Sequence, residues 1–192
     1  MSVGQDVLSR YEQDGQNRYI IDVAAERTED LYNFFDRHAP YIRRDLDQEL
    51  ADYLFGCVRE LPPHDPFVIR FNLTESPDEE KRARIRGSIS SFFRYAAELE
   101  RDAITRMLRK SAVLLAVGLA VMFIAVWVRQ WLGESRSVVG DVFAEGLTVA
   151  AWVSLWEAVA VFLIEWLPRR RDLRRCERLA EAEVVFGDAG SK

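Results

Sequence analysis

Three rhythms of hydrophobic and polar positions follow one another along the chain. Up to about residue 75 the apolar runs are short. Tyr19 to Ala24 and Phe67 to Leu73 are dense in β-branched and aromatic residues, and each predicts a strand. Between them Ile42, Leu46, Leu50, Leu54 and Val58 recur every fourth position, which predicts one face of a helix ending near Leu61. Thr28 is placed to cap a shorter helix carrying Leu31, Phe34 and Phe35, and this helix must end before Pro40. Ser76-Pro77-Asp78-Glu79 reads as a helix start, with Ser76 as cap, proline in the first turn and Glu79 closing a capping box. From there Ile85, Ile89, Phe93, Ala96, Leu99 and Ala103 keep a helical stripe, and no proline or glycine interrupts the chain from Gly87 to Gly118.

The second rhythm has no polar phase. Residues 111–128 carry no charged side chain, and a further apolar stretch runs from about Val138 to Leu167. At about 1.5 Å per residue either one can cross a hydrocarbon core of roughly 30 Å. The predicted organisation is a polar, disordered tail (1–18), a cytosolic domain with a helical stalk (19–110), a first transmembrane helix (111–132), an outer loop (133–137) and a second transmembrane helix (138–167). A basic helix and returning strand (168–187, the strand at Glu183 to Phe186) and a short tail (188–192) follow. The predicted fold class is an α+β membrane protein: a two-helix hairpin plus a domain of about three strands and three to four helices.

Charge then orients the hairpin. Arg94, Arg101, Arg106, Arg109 and Lys110 precede the first apolar run. Arg169, Arg170, Arg171, Arg174, Arg175 and Arg178 follow the second, whereas the connection holds only Arg129 and Arg136. The positive-inside rule puts both termini in the cytoplasm. The same six arginines after Pro168 are candidates for anionic head groups as well as for fixing topology. The acids gather elsewhere. Residues 1–100 hold 20 acidic against 13 basic side chains, while residues 101–192 hold 11 against 13.

Composition excludes several chemistries. Two cysteines (Cys57, Cys176) and two histidines (His38, His64) form no zinc-ligand spacing. There is no phosphate loop, dinucleotide fingerprint, nucleophile elbow or internal repeat. The first 18 residues lack an apolar core, so insertion is expected to rely on the internal segments. No cofactor, no nucleic acid and no catalytic activity are expected.

The second apolar run contains acids. Counting back from Arg169 puts Glu157 near the midplane, Glu165 near the inner interface and Glu145 near the outer one. An ionisable group at such depth is a functional candidate by default. Ser154 lies one turn from Glu157, and Ala150, Ser154 and Ala158 form a small-residue series that Ala116 and Ala120 match on the first span. The series predicts a helix interface beside Glu157, whose carboxyl is either a protonatable site or a structural acid holding helices or subunits together.

YIRRDLDQEL (41–50) with RELP, FFRYAAELERDA (92–103), and EGLTVAAWVSLWE (145–157) with EWLP and its arginine run resemble an uncharacterised family of bacterial two-span inner-membrane proteins. The resemblance runs from about Tyr19 to Phe186. It implies a small cytosolic domain and no assigned activity. It also implies that a basic residue and a proline are common where this chain has Glu157-Ala158, that an acid at Glu165 is typical, and that the second span is kinked or partly re-entrant around Trp156. The leading expectation is a membrane-anchored interaction or sensing domain. The alternative is a subunit of an oligomeric ion or proton channel or transporter using Glu157, with further copies of the chain or an unidentified protein as partner.

Overall fold

A computed structural model of the chain describes residues 7–32, 46–75, 77–131 and 138–187. Three strands, β1 (Tyr19–Ala25), β2 (Phe67–Leu73) and β3 (Glu183–Phe186), form one sheet in the order β1-β2-β3. Both pairings are parallel, with Tyr19 opposite Phe67 and Val68 opposite Glu183. Parallel neighbours need a crossover rather than a tight turn. The first crossover carries a 3-10 turn (Thr28–Leu31) and helix α1 (Gln48–Glu60). The second carries α2 (Glu79–Trp131), α3 (Val138–Val161), a π-helical turn (Phe162–Trp166) and α4 (Leu167–Ala180). The expected α+β arrangement is therefore a mixed α/β one, because helices separate the strands and force them parallel. Two helical stretches, within α2 and from α3 through α4, are long and apolar enough to cross a membrane.

The chain divides into two compact units, Met1–Glu98 with Leu173–Lys192, and Leu99–Asp172. In the first, alternate strand residues enter one core: Ile21 and Val23 from β1, Ile69 and Phe71 from β2, Val184 from β3. Leu50, Leu54 and Val58 of α1, Ile85, Ile89 and Phe93 of α2, and Leu179 of α4 join the same cluster. All three helices thus cover one face of the sheet. The other face carries Asp22, Arg70 and Glu183, which satisfy one another and their neighbours. Arg70 forks onto Asp22 at 2.5 and 2.7 Å and reaches Glu12 at 2.9 Å, while Arg18 bridges Asp14 and Glu183 at 2.7 and 2.6 Å.

Local details depart from the pattern-based expectations. Residues 7–18, expected to be disordered, are ordered: Leu8 and Tyr11 pack on the core, and Gln13 bridges Tyr19. A polar composition hid two apolar anchors there. Asp47, not a residue upstream of Ile42, caps α1 by accepting from the Glu49 and Leu50 amides. Asp78 accepts the Lys81 amide at 2.7 Å at the start of α2. Ser76, Phe34, Phe35 and Ile42 lie outside the described residues. Leu46, Leu50, Leu54 and Val58 are buried as the four-residue spacing requires.

The second unit contains the apolar helices. Its irregularity is the π-helical turn at Phe162–Trp166, about two to three turns beyond Trp156, around which a kink or re-entrant segment was expected. Pro168 is the physical cause. It offers no N–H to the Ile164 carbonyl and its ring crowds that carbonyl, and a π turn in the preceding residues accommodates both. Phe162 and Trp166 stack across this turn, with centroids 5.0 Å apart and planes at 13°.

Candidate functional site

The chemistry-bearing side chains of the second unit are arranged by how α2 and α3 face each other. Along α2, Glu100, Ile104, Met107, Ser111, Leu114, Gly118 and Val121 are buried or half-buried, and most residues between them are exposed. Their alternating spacing of four and three is the seam of a helix pair. On α3 the shielded positions include Leu147, Ala151 and Leu155, while Trp152, Val153, Trp156 and Glu157 are exposed.

Arg169 Nη1, on α4, lies 3.5 Å from Glu100 Oε2 on α2. Gly118 on α2 and Ala151 on α3 are both small and both buried. Small side chains allow helix backbones to approach closely.

Of the expected small-residue series, Ala116, Ala120 and Ala150 are exposed, whereas Gly118 and Ala151 are buried. Glu157 is exposed. The side chains of Ser154 and Glu165 lie outside the described residues; their backbones belong to α3 and to the π turn.

The six arginines after Pro168 separate into distinct roles. Arg169 takes the Glu100 contact. Arg170 lies over Trp166 at 5.0 Å, completing a Phe162–Trp166–Arg170 column at spacings of four. Arg171 and Arg174 are exposed. Arg175 lies over Phe55 at 5.9 Å, and Arg178 lies over Phe67 at 5.0 Å while donating to the Asp65 carbonyl at 2.7 Å. Burial holds Arg178 below the usual guanidinium pKa. Arg175 and Arg178 are thus fastened to the α/β unit. Sequence counting could not separate them from the others, because the separation depends on which helix face meets α1 and β2.

The α/β unit has one open cleft of about 340 Å³ beside the carboxyl end of β1, lined by Asp22, Glu26, Asp30, Asp47, Glu49 and Tyr53 among others. Its acids are occupied in local structure: Asp22 holds Arg70, Asp30 accepts the Arg27 amide, and Asp47 caps α1. Among the described residues no group of histidines, cysteines and acids could hold a metal ion. Among the described residues the strand order runs in one direction without the reversal that forms the switch-point crevice where open α/β sheets bind nucleotides. Cys57 and Cys176 are free and buried.

Comparison with known proteins finds no match, whether to a family model, to a curated protein or to a solved structure.

Proposed function

We propose that this chain is an integral protein of a bacterial inner membrane, of the two-span type its sequence resembles. In this reading its apolar hairpin anchors a small cytosolic α/β domain that binds a partner or senses the membrane. The observation that carries this reading is the place of the hairpin in the chain. It lies inside the crossover from β2 to β3, and the helices that lead into and out of it supply Ile85, Ile89, Phe93 and Leu179 to the domain core. Among the described residues no group of histidines, cysteines and acids could hold a metal ion, and the acids of the cleft are engaged in local structure, which supports binding as the role proposed.

Charge sets the proposed depth on α2. Arg106, Arg109 and Lys110 would each cost on the order of 2.5–3.5 kcal/mol at the centre of a bilayer, less where they can snorkel. The inner boundary is therefore proposed at Lys110, with residues 111–131 as the first span, close to the roughly 20 residues a bilayer requires.

Cysteine labelling tests the arrangement, since Cys57 and Cys176 are both buried. Ser135→Cys should react with an impermeant maleimide from outside intact cells, and Ser191→Cys only after permeabilisation. The reverse pattern, or release of the protein by alkaline carbonate, would overturn the reading.

A second reading, an oligomeric channel or transporter subunit, rests on Glu157 being exposed on an otherwise apolar helix face. A partner copy would cover it. It requires that Glu157→Gln abolish ion flux in reconstituted vesicles while assembly is retained; unchanged flux removes it.

A further inference from the structure

We propose that Arg106, Arg109 and Lys110 form a binding site for the phosphate of an anionic phospholipid, whose acyl chains lie along Val113 and Val117. The inference deepens the membrane reading above and rests on it. All three cations are exposed. Among the described residues none of them has an ion-pair or hydrogen-bond partner, in contrast to Arg169 and Arg178, which are engaged within the chain. Residues 106, 109, 110, 113 and 117 fall within about 100° of one another around α2. A cationic cluster therefore passes directly into apolar side chains along one helix face, where Val113 is 57% exposed and Val117 53%. This order, charge and then hydrocarbon at one membrane edge, matches the order of groups in a phospholipid and not that of a soluble anion.

The apolar neighbours supply a second reason. Val113 and Val117, which continue the same face, would lie in the hydrocarbon and exclude water, and a lower local dielectric strengthens each guanidinium–phosphate contact. Arginine offers a forked donor set suited to two phosphate oxygens, and lysine adds a point charge. The proposed ligand class is a membrane phosphodiester with net negative charge, such as phosphatidylglycerol. Phosphatidylcholine carries the same phosphate, but its quaternary ammonium would sit against the cations.

The full chain purified in dodecyl maltoside, with phosphatidylglycerol or phosphatidylcholine added and retention read by native mass spectrometry, tests this. Wild type should retain phosphatidylglycerol preferentially. R106Q/R109Q/K110Q should lower that retention by about tenfold or more, since each basic residue near an anionic lipid contributes several-fold. R106K/R109K, which keeps the charges, should retain most of the preference and shows that the loss is not one of folding. R170Q/R171Q should change it little. Equal retention of the two lipids by wild type, or an unchanged triple substitution, overturns the site. So does displacement of the lipid by millimolar inorganic phosphate, which would make the ligand a soluble anion. Alkaline carbonate extraction of native membranes separately reports whether the membrane reading itself has failed.

Discussion

The α/β unit and the apolar helices solve opposite problems with the same residue types. In the α/β unit, Ile21, Leu54, Ile69, Phe71 and Leu179 are fully buried within the chain's own fold. On the apolar helices Phe123, Trp127, Trp131, Trp156 and Ile164 are 72, 60, 78, 65 and 71% exposed. In water such a surface would be far larger than the apolar patches that soluble monomers tolerate. The difference teaches that one region completes its packing internally, whereas the other leaves packing to be completed by something outside the chain. Charge differs in part along the same division: Arg18, Arg70 and Arg178 of the α/β unit meet carboxylates, a carbonyl or a ring, whereas Arg106, Arg109 and Lys110 beside the apolar helices are exposed.

The sharpest way to break this comparison is to truncate one leucine or valine in each region. Leu54→Ala removes a fully buried side chain between α1 and the sheet and should destabilise the α/β unit by about 2–5 kcal/mol. Val117→Ala, on the exposed face of α2, should leave the same unfolding transition where it is. Both are read by urea unfolding of the full chain in a neutral detergent, followed by tyrosine and tryptophan fluorescence. Equal effects would mean that the exposed face of α2 packs against the protein in solution and that the division described above is wrong.

Between the two regions, what was legible in the sequence differs in kind. The strands at Phe67–Leu73 and Glu183–Phe186 and the buried face of α1 follow from periodicity, because a period of two or four needs only neighbours along the chain. The parallel sheet was not legible, since strand direction depends on which connections cross the sheet. Nor were Leu8 and Tyr11 as anchors, because two apolar residues in a polar run make no period. In the candidate site, the i,i+4 column of Phe162, Trp166 and Arg170 could be read directly. The separate roles of the arginines could not, because which of them meets Glu100, Trp166, Phe55 or Phe67 depends on how helix faces pack and not on spacing along the chain.

A smaller effect tests the packing of the apolar helices. Gly118→Ile places a branched side chain at a buried position of α2, and overpacking of a close helix contact costs about 1–3 kcal/mol. The expected outcome is a lower melting temperature for the apolar helices in detergent, followed by tryptophan fluorescence, with the α/β unit unaffected. Ala116→Ile, two residues away and exposed, should be neutral. A reversed order of the two would return the interface to the small-residue series centred on Ala116 and Ala120.

The smallest effect lies on the solvent face of the sheet and depends on pH. Arg70 hydrogen-bonds both carboxylate oxygens of Asp22 and holds that carboxyl below its ordinary value of 3.8, with Asn72 adding a further donor. The folded chain therefore takes up this proton less readily than the unfolded chain. The stabilisation is complete above 3.8 and is lost as the pH falls through the lower folded value. The Asp22 side chain is 41% exposed, so solvent screening limits the contribution to less than about 1 kcal/mol. Asp22→Asn should accordingly flatten, without abolishing, the acid limb of the stability curve of the α/β unit. Asp14 is held low by the amide and guanidinium of Arg18 and keeps its own share. The substitution should leave phosphatidylglycerol retention unchanged, because this ion pair belongs to the region whose charges are already satisfied. If Asp22→Asn altered lipid retention as strongly as removal of Arg106, Arg109 and Lys110, the two regions would not be separable in their electrostatics, and the contrast between them would hold for packing alone.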